Sequence, residues 1–158
     1  MKILLTGSQG QLGRALMASR PQVLQHDGLE LIATSRSGGD GLLALDLADA
    51  DACRAAVLEL QPDWVLNAGA YTAVDRAETE PELAHAVNAL APRAFAEALA
   101  QTGGRLLQVS TDFVFNGRQG HPYKPEQQID PLGVYGATKA AGEQAIAEVL
   151  GLDQGGNA

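Results

Sequence analysis

At 158 residues, with 46% hydrophobic and 19% charged side chains, the chain can bury one domain core and is too apolar to be disordered. Its formal net charge of −8 argues against a nucleic-acid backbone as partner, and no apolar run approaches the roughly 20 residues of a membrane span. A single cysteine, Cys53, excludes an internal disulfide, and the scattered His26, His85 and His121 lack companions at metal spacing, so no metal site is expected.

Met1 runs directly into an apolar strand at residues 2–6, without a basic leader, which reads as a cytoplasmic protein. A glycine-rich turn and a helix over 11–19 follow. Further strands are expected at 29–34, 42–45, 63–67 and 105–110, and helices at 49–61, 81–88, 91–102 and 134–150. Short β-like runs alternating with Ala-rich helices predict an α/β fold, a Rossmann-type doubly wound parallel sheet in three αβα layers, as one domain over 1–158. Pro62 and the pair Gly103-Gly104 punctuate helix ends. Asp46 or Asp49 stands where a helix needs an N-cap. Cys53 and Trp64 read as core, and Asp75, Arg76 and Glu78 as charges at a helix start. The Gly- and Pro-rich stretch 116–133, which contains Tyr123 and Lys124, is long enough to be a functional loop.

Two segments carry chemistry. The first, Thr6-Gly7-Ser8-Gln9-Gly10-Gln11-Leu12-Gly13, follows the first strand and opens a helix. Its G-x-x-G-x-x-G spacing provides a tight turn at Gly7, close backbone approach to a diphosphate at Gly10, and close helix packing at Gly13. The second strand ends Thr34-Ser35-Arg36 without an acid to take a ribose 2′-hydroxyl. Ser35 and Arg36 favour a 2′-phosphate, hence NADPH, with NADH possible.

The second segment is Tyr135-Gly136-Ala137-Thr138-Lys139, with Tyr135 and Lys139 on one helical face. A tyrosine hydroxyl ordinarily titrates near ~10, and a neighbouring ammonium favours the phenolate, which suits proton exchange with a carbonyl or alcohol. Ser110 and Thr111, at the end of the fifth strand, are both candidates to donate to the substrate oxygen.

Together with Asn67-Ala68-Gly69-Ala70-Tyr71-Thr72-Ala73-Val74-Asp75 and Ser110-Thr111-Asp112-Phe113-Val114-Phe115-Asn116-Gly117, these segments resemble the dTDP-4-dehydrorhamnose reductases, members of the extended short-chain dehydrogenase/reductase group. The resemblance implies reduction of the 4-keto group of a dTDP-6-deoxyhexulose by NAD(P)H. It implies Thr111 as the group polarising the carbonyl, Tyr135 as proton donor, and Lys139 bonded to the nicotinamide ribose. It places Gly7, Gly10, Gln11 and Leu12 at the pyrophosphate and Asp46 and Leu47 beside adenine. Ala68, Gly69 and Ala70 would line the cofactor with Tyr71 close by, and Asp112 and Phe113 would meet substrate. Asn88 matches an asparagine position of the wider group. A homo-oligomer, a dimer, is expected, since an open sheet edge invites pairing with another chain.

Two positions depart from the family pattern. Phe113 stands where tyrosine is frequent, and Gly69 where alanine is usual, a small-for-small exchange expected to be tolerated. Gly155-Gly156-Asn157-Ala158 follow soon after the Tyr-Lys helix, before the family's smaller substrate domain, which reads either as a piece of a longer protein, holding the cofactor half, or as a short natural product, with one side of the sheet expected open. Two alternatives share the fold. One is a non-catalytic regulatory subunit similar to that of methionine adenosyltransferase. The other is a nucleotide-sugar epimerase or dehydratase.

Overall fold

The computed structural model describes residues 1–23 and 28–152; His26 and the segment from Gly155 to Ala158 lie outside them. Five strands, β1 (Lys2–Thr6), β2 (Glu30–Ser35), β3 (Leu43–Ala44), β4 (Trp64–Asn67) and β5 (Arg105–Gln108), pair in parallel in the order β3-β2-β1-β4-β5. The chain winds outward from β1 through β2 and β3, then returns past β1 to build β4 and β5. Ligands of open α/β sheets bind at such a reversal, beyond the carboxyl ends of the strands.

Alternation assigns the faces. Leu4 pairs with Val65, and Val65 with Leu106, and all three are buried on one side of the sheet. In the same core lie Cys53 and Val57 of α2 (Ala50–Leu60), Phe95 and Leu99 of α5 (Ala91–Thr102), and Ile146 of α6 (Val134–Leu150). Full burial of each such Leu, Val or Phe contributes about 1.5–3 kcal/mol relative to exposure. Burial first, with Asp49 and Asp46 adding to it, pushes the Cys53 thiol up to about 12, so this cysteine is an unreactive packing residue.

Local chemistry explains the element ends. Of the two candidate caps, Asp49 serves α2, its Oδ1 accepting the Ala52 N–H at 2.9 Å, while Asp46 accepts from Ala48 at 3.0 Å. The first helix, α1 (Gln11–Val23), runs past the expected end at Ser19. β2 sits one residue later than expected, and β3 shrinks to two exposed residues. β5 stops at Gln108 instead of Ser110, because its partner β4 ends at Asn67 and the ladder has no further rung.

The two helices expected at 81–88 and 91–102 form one run, from α4 (Pro81–His85) through a π-turn (Ala86–Leu90) into α5. Pro92 has no N–H for the Asn88 carbonyl, and its ring would crowd that oxygen. The wider turn, with the Ala91 N–H bonded to Ala86, relieves both problems. Gly142 of α6 packs against the freed carbonyl, where a Cβ would lie 2.2 Å from the Asn88 oxygen.

Two further differences concern the sheet edge and the long loop. Trp64 is only half-buried, with the Arg105 guanidinium 5.5 Å above its ring. β5 pairs with β4 alone among the described strands, and Leu107 (48%) and Val109 (40%) are exposed beside it. The loop from Phe115 to Gly133 has no helix or strand but is tied together. Phe115 stacks on Tyr123 at 4.4 Å, Asn116 donates to Asp130 at 2.8 Å, and the Asp130 N–H donates to the Val114 carbonyl at 2.9 Å.

Candidate active site

Backbone forms one end of the site. Gly7 has φ 64°, and a Cβ there would fall 2.5 Å from the Gly69 N and Cα, so the turns after β1 and β4 meet main chain to main chain. A Cβ on Gly13 would lie 2.1 Å from the Gly7 oxygen, which seats α1 directly on the turn. The Ser8 hydroxyl and N–H both donate to the Thr34 carbonyl, at 2.8 and 3.2 Å, fastening the turn to β2. The first turn of α1 carries no acid, and helix geometry leaves its N–H groups without intrahelical acceptors. That combination fits a diphosphate.

A cleft of about 760 Å³ extends from this turn along the carboxyl ends of the strands. Gly7, Gly10, Gln11 and Leu12 line one end, Ser35, Arg36, Asp46 and Leu47 one wall, Ala68, Gly69 and Ala70 another, and Tyr135 and Lys139 the far end. Residues distant in sequence are thereby brought together around one space. Ala15, Leu45, Thr72, Val87, Val109 and Ser110 also line it. Apart from Ser110, sequence reasoning gave these no role; most are apolar and carry no chemical signal.

The Arg36 Nε lies 3.7 Å from the Asp46 carboxylate, with the arginine side chain 76% exposed. The Ser35 hydroxyl accepts the Gly38 N–H at 3.0 Å. Gly69 is more confined than expected: a Cβ would lie 2.4 Å from the Leu47 Cδ1 and 3.3 Å from the Gly7 N, so alanine there requires Leu47 to turn aside. Tyr71 does not line the cleft. Its hydroxyl donates to Glu80 at 2.6 Å, and its N–H and carbonyl are both held by the Asn88 amide, at 2.9 and 3.1 Å.

α6 presents the reactive pair. Lys139 is buried, and its Nζ donates to the Val109 carbonyl at 2.5 Å. Burial pushes the Lys139 pKa down, while Glu143 acts against that fall. Glu143 itself accepts from the Ser110 hydroxyl. Tyr135 meets Phe113 edge to face, with ring centroids 5.6 Å apart.

Tyr135 also borders a second hollow, of about 450 Å³, with Glu78, Asp112, Phe113, Phe115 and Tyr123 among its lining. The structure thus gathers Asp112 and Phe113 on the side of Tyr135 away from the glycine turn. Thr111 lines neither space. Its Oγ1 accepts the Phe113 N–H at 3.2 Å and caps a short 3-10 turn, Asp112–Val114. Of the two hydroxyl candidates, Ser110 is the one in the cleft. Lys124 lines neither space and is exposed.

Long-range bonds fix α6. Its N-cap is Gly133, which has no side chain to cap with, and the Glu78 Oε1 accepts the Val134 N–H at 2.8 Å instead. Glu78 was expected among charges at a helix start. Asp75 does lie in the first turn of α3 (Val74–Ala77), but Glu78 follows that helix and serves α6. Asn88 reaches the same helix, donating to the Thr138 Oγ1 at 3.1 Å. Among the described residues there is no cluster of three potential metal ligands, and no helix long and apolar enough to cross a membrane.

The chain matches the family described as RmlD substrate binding domain over residues 1–152. It is 46% identical over 147 residues to the dTDP-4-dehydrorhamnose reductase of Streptomyces griseus, a match covering 93% of this chain and 45% of that protein. A crystal structure of a dTDP-4-dehydrorhamnose reductase from Clostridium acetobutylicum superposes with a TM-score of 0.82 at 35% identity, covering 94% of this chain and 50% of the other. The Bacillus anthracis dTDP-4-dehydrorhamnose reductase, solved in complex with NADP, gives 0.81 at 32% identity, covering 94% and 49%. The chain spans about half the length of the curated relatives it matches.

Proposed function

The chain belongs to the RmlD substrate binding domain family, and on that premise we propose that it is the cofactor-binding part of an NADPH-dependent reductase acting on the 4-keto group of dTDP-4-dehydro-6-deoxy-L-mannose. The product is dTDP-L-rhamnose. The observation that carries this reading is the continuous cleft from the Gly7 turn to Tyr135, with a second hollow beginning on the far side of that tyrosine.

The glycine turn and the start of α1 hold the pyrophosphate, Asp46 and Leu47 flank the adenine, and Ala68, Gly69 and Ala70 border the chain of the cofactor. Arg36, with Ser35, takes the 2′-phosphate, which makes NADPH the preferred form over NADH. Asp46 beside Arg36 moderates that preference, because a carboxylate there competes for the guanidinium. When bound, the nicotinamide supplies a hydride to the carbonyl carbon. Tyr135 gives its hydroxyl proton to the carbonyl oxygen, and Lys139 bonds the nicotinamide ribose and places a positive charge beside the phenol. Asp112 and Phe113 orient the sugar on the side of the second hollow. Thr111 polarises the carbonyl once its hydroxyl proton turns from the Asp112 carboxylate, and Ser110, already facing the cleft, is available for the same task.

The test is NADPH oxidation with that sugar nucleotide, using this chain completed by the C-terminal half of the Streptomyces griseus relative, with and without Tyr135→Phe. Turnover should fall by about 10²–10⁴-fold in the variant. Undiminished turnover would remove Tyr135 from the chemistry, and failure of the chain to bind NADPH would end the reading.

A further inference from the structure

Gln108, the last residue of β5, closes a row of polar side chains that crosses three strands. Thr6 is in register with Asn67, and Asn67 with Gln108, so the three stand in line one pleat beyond Leu4, Val65 and Leu106. The Thr6 hydroxyl donates to the Asn67 Oδ1, and the Asn67 Nδ2 donates to the Gln108 Oε1 at 2.6 Å. The Gln108 Nε2 then donates to the Val109 carbonyl at 2.8 Å. That same oxygen accepts the Lys139 ammonium at 2.5 Å.

The row begins in the deepest part of the sheet. Thr6 is fully buried, Asn67 is 1% exposed, and the Thr6 Oγ1 also accepts the Gly69 N–H at 3.4 Å. Val109, by contrast, lies one residue past the last register pair between β4 and β5, so its carbonyl belongs to a peptide beyond the ladder. A carbonyl oxygen has two lone pairs, and here both are used by side chains, from Gln108 and Lys139. An ammonium has three N–H donors. With one directed at a fixed carbonyl, the other two have set directions into the cleft that Lys139 lines.

We infer that Gln108 is a positioning residue for Lys139: it extends the order of the sheet to the Val109 peptide and thereby aims the lysine at the nicotinamide ribose. The inference rests on the proposed role of Lys139 in that contact. It gives the wall of the glycine turn and the reactive lysine a shared support, through Thr6 at one end and Val109 at the other.

Two variants of the 158-residue chain separate positioning from packing. Gln108→Met keeps the length and removes both bonds, whereas Gln108→Asn keeps an uncharged amide and withdraws it by one methylene from Asn67 and Val109. Titrations would use NADPH and 2′,5′-ADP, which lacks the nicotinamide ribose, with the side-chain ε-carbon resonance of Lys139 followed by NMR. Both variants should weaken NADPH by about three- to ten-fold, leave 2′,5′-ADP unchanged and shift the Lys139 signal. NADPH affinity unchanged, or both ligands weakened alike with the Lys139 signal unmoved, overturns the inference. If Gln108→Met does not fold, Gln108→Asn decides alone. Lys139→Met tests the underlying reading separately: if it leaves NADPH affinity intact, the ribose contact is wrong, and the Lys139 resonance in the Gln108 variants still settles whether Gln108 positions the lysine.

Discussion

At the Gly7 end of the cleft the turn is one run of seven residues, seated on Gly69 and fastened to Thr34, whereas at the Tyr135 end α6 is held by single groups 30 residues away or more. Glu78 holds the Val134 N–H across 56 positions, Asn88 holds Thr138 across 50, and the Val109 carbonyl holds Lys139 across 30. The phosphate end is specified by backbone conformation and the absence of side chains. The reactive end is specified by which distant groups the sheet order brings to α6. A local device fails at single positions, and a distributed one loses strength in steps.

The sharpest way to break the contrast is Gly7→Ala. The new methyl would enter a left-handed residue and fall 2.5 Å from the Gly69 backbone, so a loss of about 2–4 kcal/mol is expected. Urea denaturation should show that loss, and NADPH titration should show binding abolished. Normal NADPH affinity in this variant would mean that the turn has slack the geometry denies.

At the other end a smaller, graded response is expected. Glu78→Ala removes the cap of α6 and should cost about 1 kcal/mol, whereas Glu78→Gln, which retains an oxygen acceptor, should cost less. Equal losses, measured by thermal melts of the two variants, would assign the effect to charge and not to the hydrogen bond.

The smallest effect concerns pH. Lys139 has its pKa lowered by burial, so the unfolded chain binds the proton more tightly than the folded one. Stability therefore rises as pH climbs from the lowered folded value to the ordinary 10.5, and at lower pH the burial penalty is felt in full. Lys139→Met should flatten that rise, so the stability difference between variant and parent should change across the window. A difference independent of pH would show that the ammonium is not held as buried.

How much of this was legible in the sequence follows the same division. The Gly7 turn and the Tyr135–Lys139 face rest on short spacings, and the turn lies in the cleft with the residues after β2, β3 and β4 that were expected beside it. The α/β order was equally visible, because periodicity and punctuation are local. Glu78 could not be assigned to α6, since nothing near Gly133 in sequence points to it. The π-turn joins two helices expected separately at 81–88 and 91–102, because a widened turn and a break between helices look alike in the local pattern. Tyr71 was expected close to the cofactor from the family resemblance, and Asn88 and Glu80 hold its polar groups outside the cleft lining. Thr111 and Ser110 differ by one residue at a strand end, and only the folded direction of the chain after Gln108 separates them.

The edge at β5 lies at one end of the sheet, one strand beyond the reversal between β1 and β4. Among the described residues no strand pairs with its outer backbone groups, and Leu107 and Val109 are exposed beside them, as at any sheet edge. Strand addition there lengthens the sheet without inserting anything between β1 and β4. Because Val109 also lines the cleft and its carbonyl holds Lys139, a strand added at that edge would lie against the peptide that supports the lysine, which ties the border of the sheet to the Tyr135 end of the cleft.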